Sequence, residues 1–185
     1  MRHLPFAALG LLLASAAMAQ DMPPRKAGLW EIKMTFEGRG TPPQTSHQCV
    51  DAETDKLMNS IGGGMRKDMC SKQEVKTVGG SIVVDSVCNI GGMTTTSQGV
   101  MTGDFNSAYT VKVTSKRQGS PPQAGPAETK MQIDAKWVGA CKADQKPGDI
   151  IMAGGMKMNI RDLQNMPGAP GGPPPAARPA TPQRK

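Results

Sequence analysis

From Trp30 onward the chain alternates without a fault. Trp30, Ile32, Met34 and Phe36 are apolar, and Glu31, Lys33, Thr35 and Glu37 between them are polar. Successive side chains of an extended chain point to opposite faces, so this is a strand with one buried face. Such a strand needs neighbours of the same kind, and the chain supplies them. Ile82, Val84 and Ser86 alternate with Val83, Asp85 and Val87 up to Cys88. A Thr-rich run covers 94–101, followed by Gly103-Asp104 and then Tyr109, Val111 and Val113. Met131, Ile133, Ala135 and Trp137 face one way, and Lys130, Gln132, Asp134 and Lys136 the other. Segments 44–50 (with His47 and Cys49 on one face) and 71–77 read as further strands. Gly38, Gly40 and Pro42-Pro43, then Gly79-Gly80, Gly91-Gly92 and a Pro/Gly loop at 119–126 punctuate the series. Consecutive strands joined by short turns predict a mainly β fold, an antiparallel meander. One apolar face per strand fits a curved sheet or incomplete barrel better than a doubly covered parallel sheet.

One short helix is expected near 52–60. Asp51 can cap it by accepting from the orphan N–H groups of its first turn. Leu57, Met58 and Ile61 would face inward, and Gly62-Gly63-Gly64 stops it. In 149–165, Gly154-Gly155 suggests a hairpin, and Met156, Ile160 and Leu163 lie at helical spacing, suggesting a short helical end. From Met166 the composition turns to Pro, Gly and Ala, which buries too little apolar surface to offset ordering entropy, so a disordered tail is expected over 166–185.

The start of the chain speaks to location. Arg2 precedes an apolar run over 4–17, and Ala17-Met18-Ala19 places small residues before Gln20. This is the layout of a cleavable secretory signal peptide, 1–19, and it predicts a periplasmic protein. The run is shorter than the roughly 20 residues of a transmembrane helix. No second apolar run follows, so no transmembrane segment is expected after cleavage. The domain is then 20–165. It is poor in rings, with two Trp, one Tyr and three Phe in the whole chain, one of them Phe6 in the signal segment. A core so thin gains from covalent staples. The four cysteines allow three pairings. If Gly79-Gly80 turns a hairpin, Cys70 falls almost opposite Cys88, which predicts Cys70–Cys88 and leaves Cys49–Cys141. No C-x-x-C pair is present, against a thioredoxin-like or zinc-ribbon site.

Catalytic candidates are scarce. His47 is the lone histidine after the signal segment, with no spacing around it that points to a nucleophile and an orienting acid. Glu53 and Asp55 are two apart on a helix and do not share a face. Gly62-Gly63-Gly64 lacks the spacing of a phosphate loop. No enzyme activity and no cofactor are expected. Nucleic-acid stacking needs aromatics on the sheet face, and few are available. Twenty-two Lys and Arg against fifteen Asp and Glu give a net charge of +7, which favours weak association with anionic surfaces.

The fourteen methionines are the odd abundance. Met58, Met65 and Met69 form one loose group and Met152, Met156 and Met158 another. Thioethers are soft ligands for Cu(I), so the second group with His47 is the candidate metal set. The competing use is core filling by a flexible, polarizable side chain.

Several short segments carry a family resemblance. Gly28-Leu29-Trp30-Glu31 opens the domain, Gln48-Cys49-Val50 follows a Pro loop, and Gly139-Ala140-Cys141 leads into Lys146-Pro147-Gly148-Asp149. With four cysteines and an export signal, the chain resembles the small exported proteobacterial proteins grouped as domain of unknown function 3617, over roughly 25–160. That resemblance implies a periplasmic, β-rich domain and brings no catalytic residues. Gly28-x-Trp30 at the start of a first strand is also similar to the G-x-W signature of lipocalins, which implies a basic residue packed on the Trp, here Lys136 or Arg117.

The function expected from these readings is non-enzymatic binding of an apolar or amphipathic ligand, or of an envelope component. Trp30, Phe36, Tyr109 and Trp137 are the candidate ligand residues, with Met34, Val111 and Ile133 near that surface or in the core beneath it. Copper handling by Met152, Met156, Met158 and His47 is the alternative.

Overall fold

The computed structural model describes residues 22–62, 69–90, 92–119 and 126–165. The expected signal peptide and C-terminal tail lie outside them, as do Gly63, Gly64, Met65 and Gly91.

Among the described residues, nine strands form one antiparallel sheet. In chain order they are β1 (Gly28–Phe36), β2 (Gln44–Val50), β3 (Cys70–Val78), β4 (Ser81–Ile90), β5 (Met93–Asp104), β6 (Ala108–Gln118), β7 (Glu128–Gly139), β8 (Asp149–Ile151) and β9 (Lys157–Asn159). Helix α1 (Ala52–Gly62) follows β2, and α2 (Ile160–Gln164) follows β9. The spatial order is β3-β4-β5-β6-β7-β1-β2-β8-β9, an open, curved sheet. The meander therefore runs from β3 to β7, and β1 then pairs with β7 instead of with a sequence neighbour on that side.

Directly opposite residues of antiparallel strands share a face, so the register sorts the side chains. On one face Trp30, Ile32, Met34 and Phe36 stand beside Trp137, Ala135, Ile133 and Met131. Tyr109, Val111 and Val113 continue that face, followed by Met101 and Gly99, by Ile82 and Val84, and by Val75. The other face carries Glu31, Lys33, His47, Asp134, Lys136, Thr110 and Lys112. The period-two pattern of the sequence is thus the partition between the two surfaces.

The two described helices cover one end of the apolar face, where α1 and α2 contact each other, α1 contacts β2 and α2 contacts β9. There the core holds Trp30, Ile32, Val50, Met58, Ala135 and Ile160, with Leu57 and Leu163 partly buried against it. Helix α1 starts where its cap predicts. Asp51 Oδ1 accepts from the Thr54 N–H at 2.8 Å, and Thr54 Oγ1 accepts from the Asp51 N–H at 3.0 Å, a reciprocal cap. Both disulfides are present. Cys70–Cys88 ties β3 to β4 across the Gly79-Gly80 hairpin, and Cys49–Cys141 ties the end of β2 to the segment after β7. Gly154 and Gly155, both at positive φ, turn the β8–β9 hairpin, and α2 follows it.

Candidate ligand-binding face

At the covered end, the polar lead before β1 proves to be structural. Arg25 is 8 % exposed. Its Nε donates to Asp55 Oδ1 at 2.6 Å and its backbone N–H to Asp55 Oδ2 at 2.9 Å. One guanidinium nitrogen donates to Gln48 Oε1 at 2.9 Å, and the guanidinium carbon sits 5.8 Å from the Trp30 ring centre. The next residue is held as firmly. Lys26 O accepts from Trp30 Nε1 at 2.8 Å, its N–H donates to Phe105 O, and its ammonium lies 3.7 Å from the Trp137 ring centre. Trp137 Nε1 donates to Ala27 O at 3.1 Å. The lead is therefore a strap across the end of the sheet, closed by one buried ion pair and two indole N–H groups.

Gly28 lets the strap approach. Its φ is +130°, and a Cβ there would stand 2.4 Å from Gly139 O and 2.6 Å from Trp137 Nε1. The Gly28-x-Trp30 pairing is thus explained by local geometry, and the cation over Trp30 is Arg25. The lipocalin expectation of Lys136 or Arg117 in that role is corrected: Lys136 stands opposite Glu31, on the other face, and Arg117 stands opposite Thr95 near the far end of β6.

The strap and helices consume much of the aromatic set. Trp30 is fully buried. Tyr109 sits between Trp30, at 5.6 Å between ring centres, and Phe105, stacked at 4.7 Å. Burial pushes the Tyr109 phenol pKa up, partly offset by the charge and hydrogen bond of Arg25. Trp137 packs against the core and under Lys26. Phe36 alone of the four candidates lies at the other end of the face, half-buried, with the Arg39 guanidinium 5.2 Å from its ring centre.

Beyond the helices the face remains apolar. The register draws two rows across it. One runs Val75, Val84, Gly99, Val113, Met131, Phe36, and the other Ile82, Met101, Val111, Ile133, Met34. Apart from Gly99 and Met101, these side chains are half-buried. Gly99 interrupts the first row. A Cβ added there would meet Val113 and Val84 only at 4.0 Å, so the missing side chain leaves a shallow trough between two valines. The second row ends in a groove of about 240 Å³, lined by Ile32, Met34, Gln44, Ser46, Met152 and Ala153.

The opposite face has a wider, open groove of about 480 Å³ among Glu31, Lys33, Thr110, Asp134 and Lys136. Asp134 already accepts from Thr110 Oγ1 at 2.9 Å and from Gln132 Nε2 at 3.0 Å. His47 meets Glu31 at 3.6 Å on this face.

The metal candidates are dispersed. Met152 shares its groove with Met34, Met156 is 62 % exposed, and Met158 pairs with Ile150. His47 is on the other face of the sheet. Met58 is spent in the core, where its sulfur accepts from Arg25 at 3.4 Å. Among the described residues no group of three or more His, Cys, Asp or Glu converges on a metal-sized space.

Sequence reasoning missed Arg25, Lys26, Phe105 and the role of Asp55. The one available signal was Arg25-Lys26 placed immediately before a strand that opens with Trp.

An open antiparallel sheet with helices at one end, two disulfides and a half-buried apolar face defines a class of protein, a β-sheet scaffold, without defining a reaction. Among the described residues no helix is long and apolar enough to cross a membrane. The chain belongs to the family described as protein of unknown function (DUF3617), whose model matches residues 25–141. That match opens on Arg25 and closes on Cys141, so it includes both ends of the long-range disulfide and stops short of β8 and β9, which the expected range of roughly 25–160 takes in. No curated protein and no solved structure matches the chain.

Proposed function

We propose that this chain is a non-catalytic periplasmic binding protein, exported by its cleavable signal peptide. It takes the apolar body of an amphipathic molecule against the helix-bearing face of the sheet. The observation that carries the reading is the row Val75, Val84, Gly99, Val113, Met131 and Phe36. Its side chains are apolar across six strands, lie beyond the helical footprint and flank a trough at Gly99. Contiguous apolar patches on a protein surface are common sites of ligand or partner binding. The net charge of +7 favours a ligand with an anionic head group. Two disulfides support an oxidising compartment.

Gly99→Val tests this reading. The added Cβ stands 4.0 Å from Val113 and Val84, its methyl groups enter the trough, and valine suits a strand better than glycine does. The full chain, purified from periplasm, is titrated with a fluorescent long-chain fatty acid and a fluorescent lysophospholipid. The unsubstituted chain binds one or both, and Gly99→Val weakens binding about tenfold, a loss of ~1.4 kcal/mol, with its unfolding midpoint unchanged or raised. A wild-type chain that takes neither probe, and carries no lipid by native mass spectrometry, overturns the proposal.

A further inference from the structure

We propose that the molecule taken by the apolar face is a long-chain carboxylate, whose head group is held by the hydroxyls of Ser86, Ser97, Ser115 and Thr129. This inference rests on the function proposed above and adds the chemistry of the head group and the direction in which the chain lies.

One row further from the helices than Val84, Gly99 and Val113, the same face of the sheet turns polar. The register sets Ser86, Ser97, Ser115 and Thr129 side by side across β4 to β7. Ser97 stands two residues before Gly99 on β5, so it shares a face with it about 7 Å along the strand. The trough that Gly99 leaves between Val84 and Val113 therefore has hydroxyls at one end. Ser97 Oγ and Ser115 Oγ lie 2.9 Å apart. One hydroxyl proton is spent between them, and the other can be donated to a ligand. Among the described residues, the Ser86 and Thr129 hydroxyls have no partner. All four side chains are half-buried.

The distribution of charge selects the head group. The acidic residues of β3 to β7 are Glu74, Asp85, Asp104, Glu128 and Asp134, and the register turns every one of them to the opposite face. From β3 to β7 the helix-bearing face carries no carboxylate. The charge placed there is that of Arg117, two residues beyond Ser115 on β6. Arg117 donates to Pro126 O at 2.9 Å, and a guanidinium keeps its charge whatever it contacts. A row of donors beside a cation, with no acid to repel it, is complementary to an oxyanion.

The short step from hydroxyls to trough selects the link. A carboxylate joined directly to its alkyl chain sets both oxygens at the hydroxyl row while its first carbons enter the trough. A glycerol phosphate interposes a three-carbon linker, which carries the anion past the row and leaves an ester carbonyl against the hydroxyls. The bound chain then runs along β5 from Ser97 over Gly99 toward Met101 and the helical end.

The test titrates the full, oxidised chain with a fluorescent long-chain fatty acid, its methyl ester and a fluorescent lysophospholipid. The unsubstituted chain binds the acid about tenfold more tightly than either of the others. Ser97→Ala combined with Ser115→Ala weakens the acid about tenfold and leaves the ester within twofold, so the preference disappears. The retained ester affinity shows that the variant is folded with its apolar face intact. Thr96→Ala, on the opposite face of β5, changes none of the three affinities. Failure of the acid and the ester alike to bind overturns the binding face and this inference together. Equal binding of acid and ester, a double variant that keeps the preference, or tighter binding of the lysophospholipid overturns the head-group assignment and leaves the binding face standing.

Discussion

Arg25 and Asp55 are joined twice, once through the guanidinium Nε and once through the Arg25 backbone N–H, across thirty residues of sequence. Both side chains are nearly shut off from water, at 6 % and 1 % exposed. Removing one partner of a buried pair leaves the other charge without compensation. Asp55→Asn is therefore expected to lower the unfolding free energy by about 3 kcal/mol or more, whereas replacing both residues with apolar side chains costs far less. Urea titration of the two single variants and the double variant measures the coupling directly. Additive losses would show that the pair does not act as a unit.

Gly28 and Gly38 both have positive φ, and only one of them is crowded. Alanine at Gly38 meets nothing within 4 Å and should cost about 1 kcal/mol for its backbone conformation alone. Alanine at Gly28 must also displace the Gly139 carbonyl and the Trp137 indole. It should cost ~3 kcal/mol, at the upper end of backbone strain, and shift the tryptophan emission as the strap lifts. Equal midpoints for the two variants would show that close approach of the strap is unimportant.

Asp149 gives the protein an acid limb. Burial pushes its carboxyl pKa up. The Lys146 N–H, the Asn159 amide and the Lys157 ammonium outweigh that effect and hold the pKa below the ordinary 3.8. Asp51, bound by Thr54, and Asp104, bound by Asn106 and Ser107, are shifted the same way. A group with a depressed folded pKa contributes fully above its unfolded value, and the contribution disappears as pH falls through the folded value. Asp149→Asn should be less stable than the parent at neutral pH, and the gap should narrow as pH falls below 3.8 and through the depressed folded value. A gap that stays constant down to the acid-unfolding limit would exclude the linkage.

The two disulfides should differ in worth. They close loops with sequence separations of 92 and 18. On the chain-entropy model these contribute about 5 and about 3 kcal/mol. Paired Cys→Ala variants, each lacking one bond, place the larger loss at Cys49–Cys141. The reverse order would mean that native contacts, not loop closure, set the contribution.

The sequence announced those features whose signal is local. Alternation from Trp30 to Glu37 marked β1 and sorted its faces, Gly79-Gly80 fixed the hairpin that brings Cys70 to Cys88, and Asp51 marked the start of α1. The Arg25–Asp55 link gave no such signal, because a cation in a Pro-flanked lead has no periodicity and its partner is thirty positions away. In sequence, Asp55 has Glu53 as its nearest acidic neighbour, with which it shares no face, whereas its partner Arg25 lies on the strap. The β7–β1 pairing was likewise invisible, since turn residues reveal only neighbours in sequence. The candidate face was legible as a list of inward residues, and the division of that list between core and open surface depended on where two short helices landed.

The seam between β7 and β1 sets an order of events during synthesis. Its partners lie about a hundred residues apart, from Phe36 with Met131 to Leu29 with Gly139, and contacts so distant form slowly. The first strand to emerge must wait with one flank open until nearly the last has arrived. During that interval its tryptophan, isoleucine and phenylalanine are presented to whatever escorts unfinished chains.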